Sequence, residues 1–153
     1  MDSLYLLLKF LHIAAVIVWI GGVVALTMFN ARFARLGDTA AQAAMGQASE
    51  VFGRTVIAPA MAVTLLAGLW MAGQFGIPFS SLWIVWGLVG FVGFILIGII
   101  AIGRAAGELG RLTSSGPDDP RVAALRQRLG LLGAVNLLLL ASVVWAMVFK
   151  PTL

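Results

Sequence analysis

Four long runs of apolar residues dominate the chain, and shorter polar segments separate them. Each run reaches the roughly 20 residues that a helix needs to cross the hydrocarbon core of a bilayer. The runs cover residues 4–29, 55–73, 82–103 and 129–149. The pattern therefore predicts an all-α fold, a bundle of four transmembrane helices, within a single domain that spans residues 1–153.

Composition agrees with a bilayer as the main solvent. Hydrophobic residues make up 61% of the chain and charged residues 10%, whereas soluble domains are roughly 45–50% apolar. The first run follows Asp2 rather than a basic segment, is long, and has no small-residue cleavage site. It therefore differs from a cleavable signal peptide, and we expect it to persist as a helix.

The distribution of basic residues predicts the orientation across the membrane. Eight of the ten Lys and Arg residues lie in the connections after the first and third runs: Arg32, Arg35, Arg54, Arg104, Arg111, Arg121, Arg126 and Arg128. Basic connections face the cytoplasm, so both termini, including Leu153, should lie outside. Four tryptophans then fall near the outer ends of their helices, at headgroup level: Trp70, Trp83, Trp86 and Trp145.

The two basic connections are expected to be helical and to extend the spans beyond the membrane. Asp38 and Thr39 can cap an Ala-rich run that continues into the second span without a breaker. Asp119 precedes Pro120, and proline is well tolerated at the first helical position. Residues 113–119 form the clearest predicted loop.

His12 is the only histidine and lies within the outer half of the first span. An ionisable group at that depth needs a physical explanation. One interpretation is a neutral imidazole that is hydrogen-bonded to a neighbouring helix, for example to Ser142, which the topology places at similar depth. The other is an axial ligand to haem iron, because histidine commonly holds that metal. The sequence leaves both interpretations open.

Lys9 lies three residues before His12, on the same helix face and one turn closer to the outer surface. Its long stem allows the ammonium group to reach the headgroups. If His12 bound haem, Lys9 could instead pair with the propionates. Further along this face are Trp19 and the Gly21–Gly22 pair, where another helix or a flat ring could approach closely.

Several other residues within the spans are better explained by helix packing than by chemistry. The third span has a glycine face made of Gly87, Gly90, Gly93 and Gly98. Pro59 is expected to kink the second span and free a carbonyl that Thr55 or a neighbour must satisfy. Asn136 is expected to be a buried interhelical contact on the fourth span.

Absent residue types and motifs exclude several classes of function. The chain has no cysteine, which rules out disulfides and thiolate metal sites. Its net charge of +4 comes from residues that flank apolar spans, so the membrane explains it better than nucleic acid does. We find no phosphate-binding loop or nucleophile–base pair, and the spans contain no acidic residue for an ion pathway.

The segment FLHIAAVIVWIGGVVAL, which carries His12, Trp19, Gly21 and Gly22, resembles a superfamily of small bacterial membrane proteins. The chain is most similar to an uncharacterised family of four-helix integral membrane proteins. That likeness extends to VFGRTVIAPAMAVTLLAGLW and RLGLLGAVNLLLL. Related branches are the membrane domain of copper-resistance protein D and the small haem-binding membrane protoporphyrinogen oxidase. The resemblance implies a bacterial inner-membrane location.

The likeness to the oxidase implies that His12 corresponds to its haem-ligating histidine. The oxidase also has an essential lysine on its third span, whereas the third span here, LWIVWGLVGFVGF, has none. This difference counts against protoporphyrinogen oxidase activity. The resemblance therefore implies a haem site without assigning a reaction to it.

The resulting hypothesis is a membrane protein that binds haem b through His12 and serves electron transfer, haem handling or assembly of a larger complex. The first alternative is a cofactor-free accessory subunit that packs against itself or other membrane proteins. The second is passage of copper or a small solute. The six methionines could supply soft ligands for copper, but they are scattered along the chain.

Overall fold

The computed structural model describes residues 3–36, 39–115 and 120–151, and these residues are helical apart from the turn before residue 82 and the last two positions. The helices are α1 (Ser3–Leu36), α2 (Thr39–Phe52), α3 (Ala58–Gln74), α4 (Leu82–Ile95), α5 (Gly103–Ser115) and α6 (Pro120–Phe149). π-Helical segments join α2 to α3 (Gly53–Ile57) and α4 to α5 (Leu96–Ile102). The predicted all-α fold is confirmed.

Four continuous helices are long and apolar enough to cross a membrane: Ser3–Leu36, Ala40–Gln74, Leu82–Leu112 and Pro120–Phe149. They contain between 30 and 35 residues. At 1.5 Å per residue that is about 45–52 Å, well beyond a hydrocarbon core of roughly 30 Å. The expected helical extensions are therefore confirmed, and α2 and α5 form most of them.

The chain divides into two compact units, residues 1–79 and residues 80–153. The N-terminal unit contains α1, α2 and α3, and the C-terminal unit contains α4, α5 and α6. Within each unit, two membrane-length helices pack against each other, and a helical extension packs beside them. A single domain over the whole chain stays a prediction.

Pro59 explains the π-helical segment that precedes α3. Proline has no N–H to donate, and its ring collides with the carbonyl four residues earlier, which here belongs to Thr55. A wider turn over Gly53–Ile57 relieves this collision. The Thr55 hydroxyl donates to the Val51 carbonyl at 2.8 Å. The helix thus continues past Pro59 because a π-helical turn precedes the proline, and the Thr55 hydroxyl is bonded to the Val51 carbonyl within this region.

The turn after α3 has a regular helix-ending geometry. Gly76 has φ +63°, a left-handed conformation that glycine adopts without steric cost. The Ile77 N–H donates to the Ala72 carbonyl at 2.9 Å, and the Phe75 N–H donates to the Met71 carbonyl at 3.1 Å. These bonds satisfy carbonyls that have no partner within the helix, so α3 ends here.

Small residues on α3 allow α1 to approach it closely. The buried residues of α1 are Leu8, Ala15, Trp19 and Gly22. Those of α3 and the preceding π-helical segment are Ile57, Ala60, Thr64, Ala67 and Ala72. Small side chains of this kind allow neighbouring backbones in a membrane to come close. This interface determines the surroundings of His12.

The glycine face predicted for the third span packs against α6. A Cβ atom added to Gly90 would overlap Val143, and one added to Gly87 would overlap Met147. At Gly93, the added atom would lie 3.1 Å from Leu139 Cδ2. The close-packing prediction is therefore confirmed within the C-terminal unit.

Most large apolar side chains outside these interfaces are exposed, including Ile17, Leu66 and Leu138. Such faces suit contact with lipid, which is as apolar as the side chains themselves. Of the four tryptophans predicted at headgroup level, Trp70, Trp86 and Trp145 are exposed and Trp83 is half-buried. Their depth in the membrane stays a prediction.

Two predicted details near the basic connections need comment. Pro120 begins α6 as expected, but the predicted caps Asp38 and Asp119 lie outside the described residues. The predicted loop over residues 113–119 is partly wrong, because α5 continues to Ser115. Serine and threonine are tolerated in a last helical turn, and the first strong breaker, Gly116, comes only afterwards.

Candidate functional site

The His12 ring is anchored to the backbone of α3. Its Nδ1 lies 2.8 Å from the Thr64 carbonyl oxygen. A carbonyl can only accept a hydrogen bond, so Nδ1 carries the proton. In the neutral imidazole, Nε2 then keeps its lone pair. Within the described part of the chain, no hydrogen bond reaches Nε2.

Gly68 makes room for this ring. A Cβ atom at that position would lie 3.1 Å from His12 Cε1 and 3.2 Å from Nδ1, closer than nearly all real contacts of that kind. Gly68 also follows Thr64 by four residues, so its N–H is the ordinary helical donor to the same carbonyl. The two lone pairs of the Thr64 carbonyl allow it to accept both donors.

The Thr64 side chain adds a second polar atom to this part of the interface. Thr64 is 7% exposed, and its Oγ1 has no hydrogen-bond partner among the described residues. A buried hydroxyl without a partner costs free energy, which a ligand or water molecule that bonds to it can recover. The region around His12 therefore has unused hydrogen-bonding capacity.

Thr64 and Gly68 are the site residues that the sequence analysis missed. Both occur in the segment TLLAG, where a spacing of four residues places them on one face of a helix. Small residues spaced in this way indicate a helix interface. They do not reveal that a histidine from α1 donates a hydrogen bond to the backbone carbonyl of Thr64.

Trp19 shares the interior face of α1 with His12, whereas Lys9 is exposed. Trp19 is 4% exposed and lies about two turns from His12 along the helix. The Lys9 ammonium lies 5.8 Å from the centre of the Tyr5 ring, one turn back toward the N-terminus. Lys9 is therefore free to reach the headgroup region, as its position predicted.

The two predicted site glycines have different surroundings. A Cβ atom on Gly22 would lie 3.1 Å from Phe52 Cε1 and 3.3 Å from Ile57 Cγ1, so these two side chains border the space at Gly22. Gly21 has no such neighbour within 4 Å and is exposed. Gly22 thus has a clear packing role, while Gly21 opens away from the unit's interior.

His12 is hydrogen-bonded to a neighbouring helix, as one of its two interpretations predicted, but its partner is the Thr64 carbonyl and not Ser142, which was named as an example. The Ser142 hydroxyl donates to the Leu139 carbonyl at 2.7 Å and accepts from Trp86 Nε1 at 3.2 Å. His12 bonds to α3 because α1 packs against α3 within the N-terminal unit. The interhelical bond exists, but its acceptor is a backbone carbonyl rather than a serine side chain.

The chemistry of the site is that of a single imidazole. Among residues 3–36, 39–115 and 120–151, no three His, Cys, Asp or Glu side chains come together in a way that could hold a metal ion. A zinc-like site needs three or four protein ligands. One imidazole suits a metal whose other ligands come from a macrocycle, as in haem.

A family model described as "Predicted integral membrane protein (DUF2269)" matches residues 6–151. The matched region includes all four membrane-length helices almost completely and contains His12, Thr64 and Gly68. No curated protein matches the chain. No solved structure matches it either.

Proposed function

We propose that this chain, which belongs to the DUF2269 family of predicted integral membrane proteins, binds haem b in the membrane through His12. The protein then serves electron transfer, haem handling or the assembly of a larger membrane complex. The observation that supports this proposal is the hydrogen bond from His12 Nδ1 to the Thr64 carbonyl at 2.8 Å.

This bond gives His12 the form that metal ligation requires. Metal-bound histidines usually donate their second ring N–H to a carbonyl or carboxylate, which fixes the tautomer and makes the ligating nitrogen more basic. Here the donor is Nδ1, so Nε2 is the nitrogen available to iron. The half-buried position of His12 leaves its ring accessible from outside the helix pair.

Two further residues bear on the proposal. Gly68 leaves room for the His12 ring, so the imidazole can lie directly on α3. The exposed Lys9 ammonium, one turn away, can pair with carboxylate groups near the membrane surface. Trp19, Gly21 and Gly22 stay predicted neighbours of the cofactor, with Gly22 also serving packing.

In this proposal each residue has a defined physical task. His12 would supply the nitrogen that holds the haem iron, Thr64 holds the ring in one orientation, and Gly68 provides space for the ring. When bound, haem supplies a one-electron redox centre whose potential depends on its axial ligands and surroundings.

An absorption spectrum of the full-length protein, purified from haem-replete cells, tests the proposal. The wild-type protein should show a Soret band, and His12→Ala should abolish or strongly shift it. Lys9→Gln should weaken haem retention but leave the ligand in place. Circular dichroism should report unchanged helix content in both variants, because the apolar spans still insert. A wild-type preparation without Soret absorption contradicts the proposal.

A cofactor-free accessory subunit is the second candidate, and the same hydrogen bond favours it. A neutral imidazole that donates to a carbonyl can hold α1 against α3 without any further ligand. In that case, His12→Ala costs only about 0.6–2 kcal/mol of interhelical bonding and changes no absorption band. The Soret measurement therefore separates the two candidates.

A further inference from the structure

An apolar groove lies in the C-terminal unit, where α4 begins and α6 ends. Its volume is about 250 Å³, and it is lined by Leu82, Trp86, Ser142, Trp145, Ala146 and Pro151. Pockets for drug-sized ligands usually measure roughly 300–1,000 Å³. The size of the groove therefore suits a single hydrocarbon chain better than a bulky cofactor.

Two polar groups of the groove, the Ser142 hydroxyl and the Trp86 indole N–H, are already hydrogen-bonded. The Ser142 hydroxyl uses its only proton on the Leu139 carbonyl at 2.7 Å. It also accepts the Trp86 indole N–H at 3.2 Å. The surface of the groove is almost wholly apolar, so an occupant must be apolar where it fills this space.

Lys150 is a cation that directly precedes the groove residue Pro151. α6 ends at Phe149, and Lys150 adopts φ +45°, an uncommon conformation for a residue with a side chain. The Lys150 N–H still bonds to the Ala146 carbonyl at 2.9 Å. The Lys150 ammonium lies 5.2 Å from the centre of the Trp83 ring, next to the groove residue Leu82. The chain thus turns at Lys150 so that Pro151 lines the groove.

The charge of Lys150 has no acidic residue nearby in sequence to balance it. No Asp or Glu occurs between Glu50 and Glu108, or after Asp119. Lys150 also belongs to the side of the membrane that is predicted to carry few basic residues. An exposed ammonium group with no Asp or Glu near it in sequence can pair with an anion from the membrane surface.

We infer that this groove holds one acyl chain of an anionic phospholipid, whose phosphate pairs with Lys150. The apolar lining accepts the chain, and the Lys150 ammonium group meets the phosphate at headgroup level. Trp86 and Trp145, both in the lining, are the type of residue that marks this depth in a membrane. The inference does not depend on haem binding, because it concerns other residues.

Native mass spectrometry of the full chain tests the inference. The protein is equilibrated with equal amounts of phosphatidylglycerol and phosphatidylcholine that have identical acyl chains, and the last lipid retained on activation is identified. We expect phosphatidylglycerol. Lys150→Gln should lower the retained ratio of phosphatidylglycerol to phosphatidylcholine about fivefold, because a basic residue at the surface contributes about 1 kcal/mol. Lys150→Arg should preserve the ratio.

Arg126→Gln is the matched control, since Arg126 is an exposed cation of the same unit outside the groove. It should leave the ratio unchanged. Glycerol phosphate, which has the headgroup charge without an acyl chain, should fail to displace the retained lipid. Equal retention of the two lipids, an equal effect of Arg126→Gln and Lys150→Gln, or displacement by glycerol phosphate would each overturn the inference. Circular dichroism of each variant confirms that the helices persist.

Discussion

The N-terminal and C-terminal units share a layout, but their long helices meet through different chemistry. In the N-terminal unit, α3 presents small residues and a backbone carbonyl, and His12 of α1 bonds to that carbonyl at 2.8 Å. In the C-terminal unit, glycines of α4 receive larger side chains of α6, such as Val143 at Gly90. The alternation of spans accounts for the shared layout. The residues at each helix interface determine how its two helices are held together.

Polar side chains at the two interfaces also differ in their bonding. Half-buried His12 has a backbone partner, whereas Asn136 Oδ1, like Thr64 Oγ1 of the N-terminal unit, has none among the described residues, although Asn136 is only 4% exposed. Both units also contain a π-helical segment, but only Gly53–Ile57 lies next to a proline. Asn136 instead lies beside Gly98 of the second segment, whose added Cβ would be 3.5 Å from Asn136 Nδ2. Among the described residues, the N-terminal unit thus joins its long helices through a histidine and a backbone carbonyl, and the C-terminal unit through the Trp86–Ser142 hydrogen bond.

The largest expected effect concerns orientation and is all-or-none. The chain has no cysteine, so a single introduced cysteine is a unique labelling site. In intact cells, an impermeant thiol reagent should label Ser80→Cys but not Arg35→Cys or Arg121→Cys, because basic connections face the cytoplasm. Permeabilised cells should allow labelling of all three.

These variants test both units, since Arg35 belongs to the first and Arg121 to the second. Labelling of Arg121→Cys but not Arg35→Cys in intact cells would mean that the chain crosses the membrane an odd number of times between these two residues. One of the two membrane-length helices between them, Ala40–Gln74 or Leu82–Leu112, would then not span the membrane.

Gly90→Ala should produce the next largest effect, by disturbing the glycine interface of the C-terminal unit. Its Cβ would overlap Val143, a β-branched side chain with little rotational freedom. We expect a loss of about 1–3 kcal/mol, seen as a lower Tm in detergent. Gly87→Ala is the matched comparison, since its Cβ would meet only the flexible end of Met147. Equal Tm values for the two variants would contradict the described fit between α4 and α6.

The apolar pattern was sufficient to predict the four spans, because each must bury about 20 residues of backbone in hydrocarbon. The glycine face of α4 was predictable for a similar reason, since close helix packing favours small residues at regular spacing. Both features are set by local composition and helical periodicity.

The partner of His12 was not predictable from composition or spacing. Residues at similar depth on several spans are equally plausible partners, and the actual acceptor is the Thr64 carbonyl. A backbone carbonyl occurs at every position, so no residue type signals it. The π-helical segment Leu96–Ile102 was likewise not predictable, because no proline lies in or next to it, unlike the turn before Pro59.

Gly68→Ala tests the polar interface of the N-terminal unit and should have a smaller effect. Its Cβ would lie 3.2 Å from His12 Nδ1, so the ring must shift and the bond to Thr64 must lengthen. Gly73→Ala on the same helix adds a Cβ with no neighbour within 4 Å and should stabilise the helix by about 0.5–1 kcal/mol. In detergent, we expect the free energy of unfolding of Gly68→Ala to be about 1 kcal/mol lower than that of Gly73→Ala. If both variants are stabilised equally, the ring does not pack on Gly68.

The smallest expected effect, and one of opposite sign, is that of Asn136→Leu in the C-terminal unit. Leucine is close to asparagine in size but removes the buried Oδ1 atom that has no partner among the described residues. An unsatisfied buried polar atom is costly, so its removal should leave the stability unchanged or raise it by up to about 1 kcal/mol. His12→Leu, by contrast, breaks a bond that is made and should lower stability by about 0.6–2 kcal/mol. Thermal unfolding of both variants in the same detergent provides the comparison. If Asn136→Leu lowered stability as much as His12→Leu, the Asn136 amide would be hydrogen-bonded in the membrane. Each unit would then have a bonded polar side chain at its helix interface.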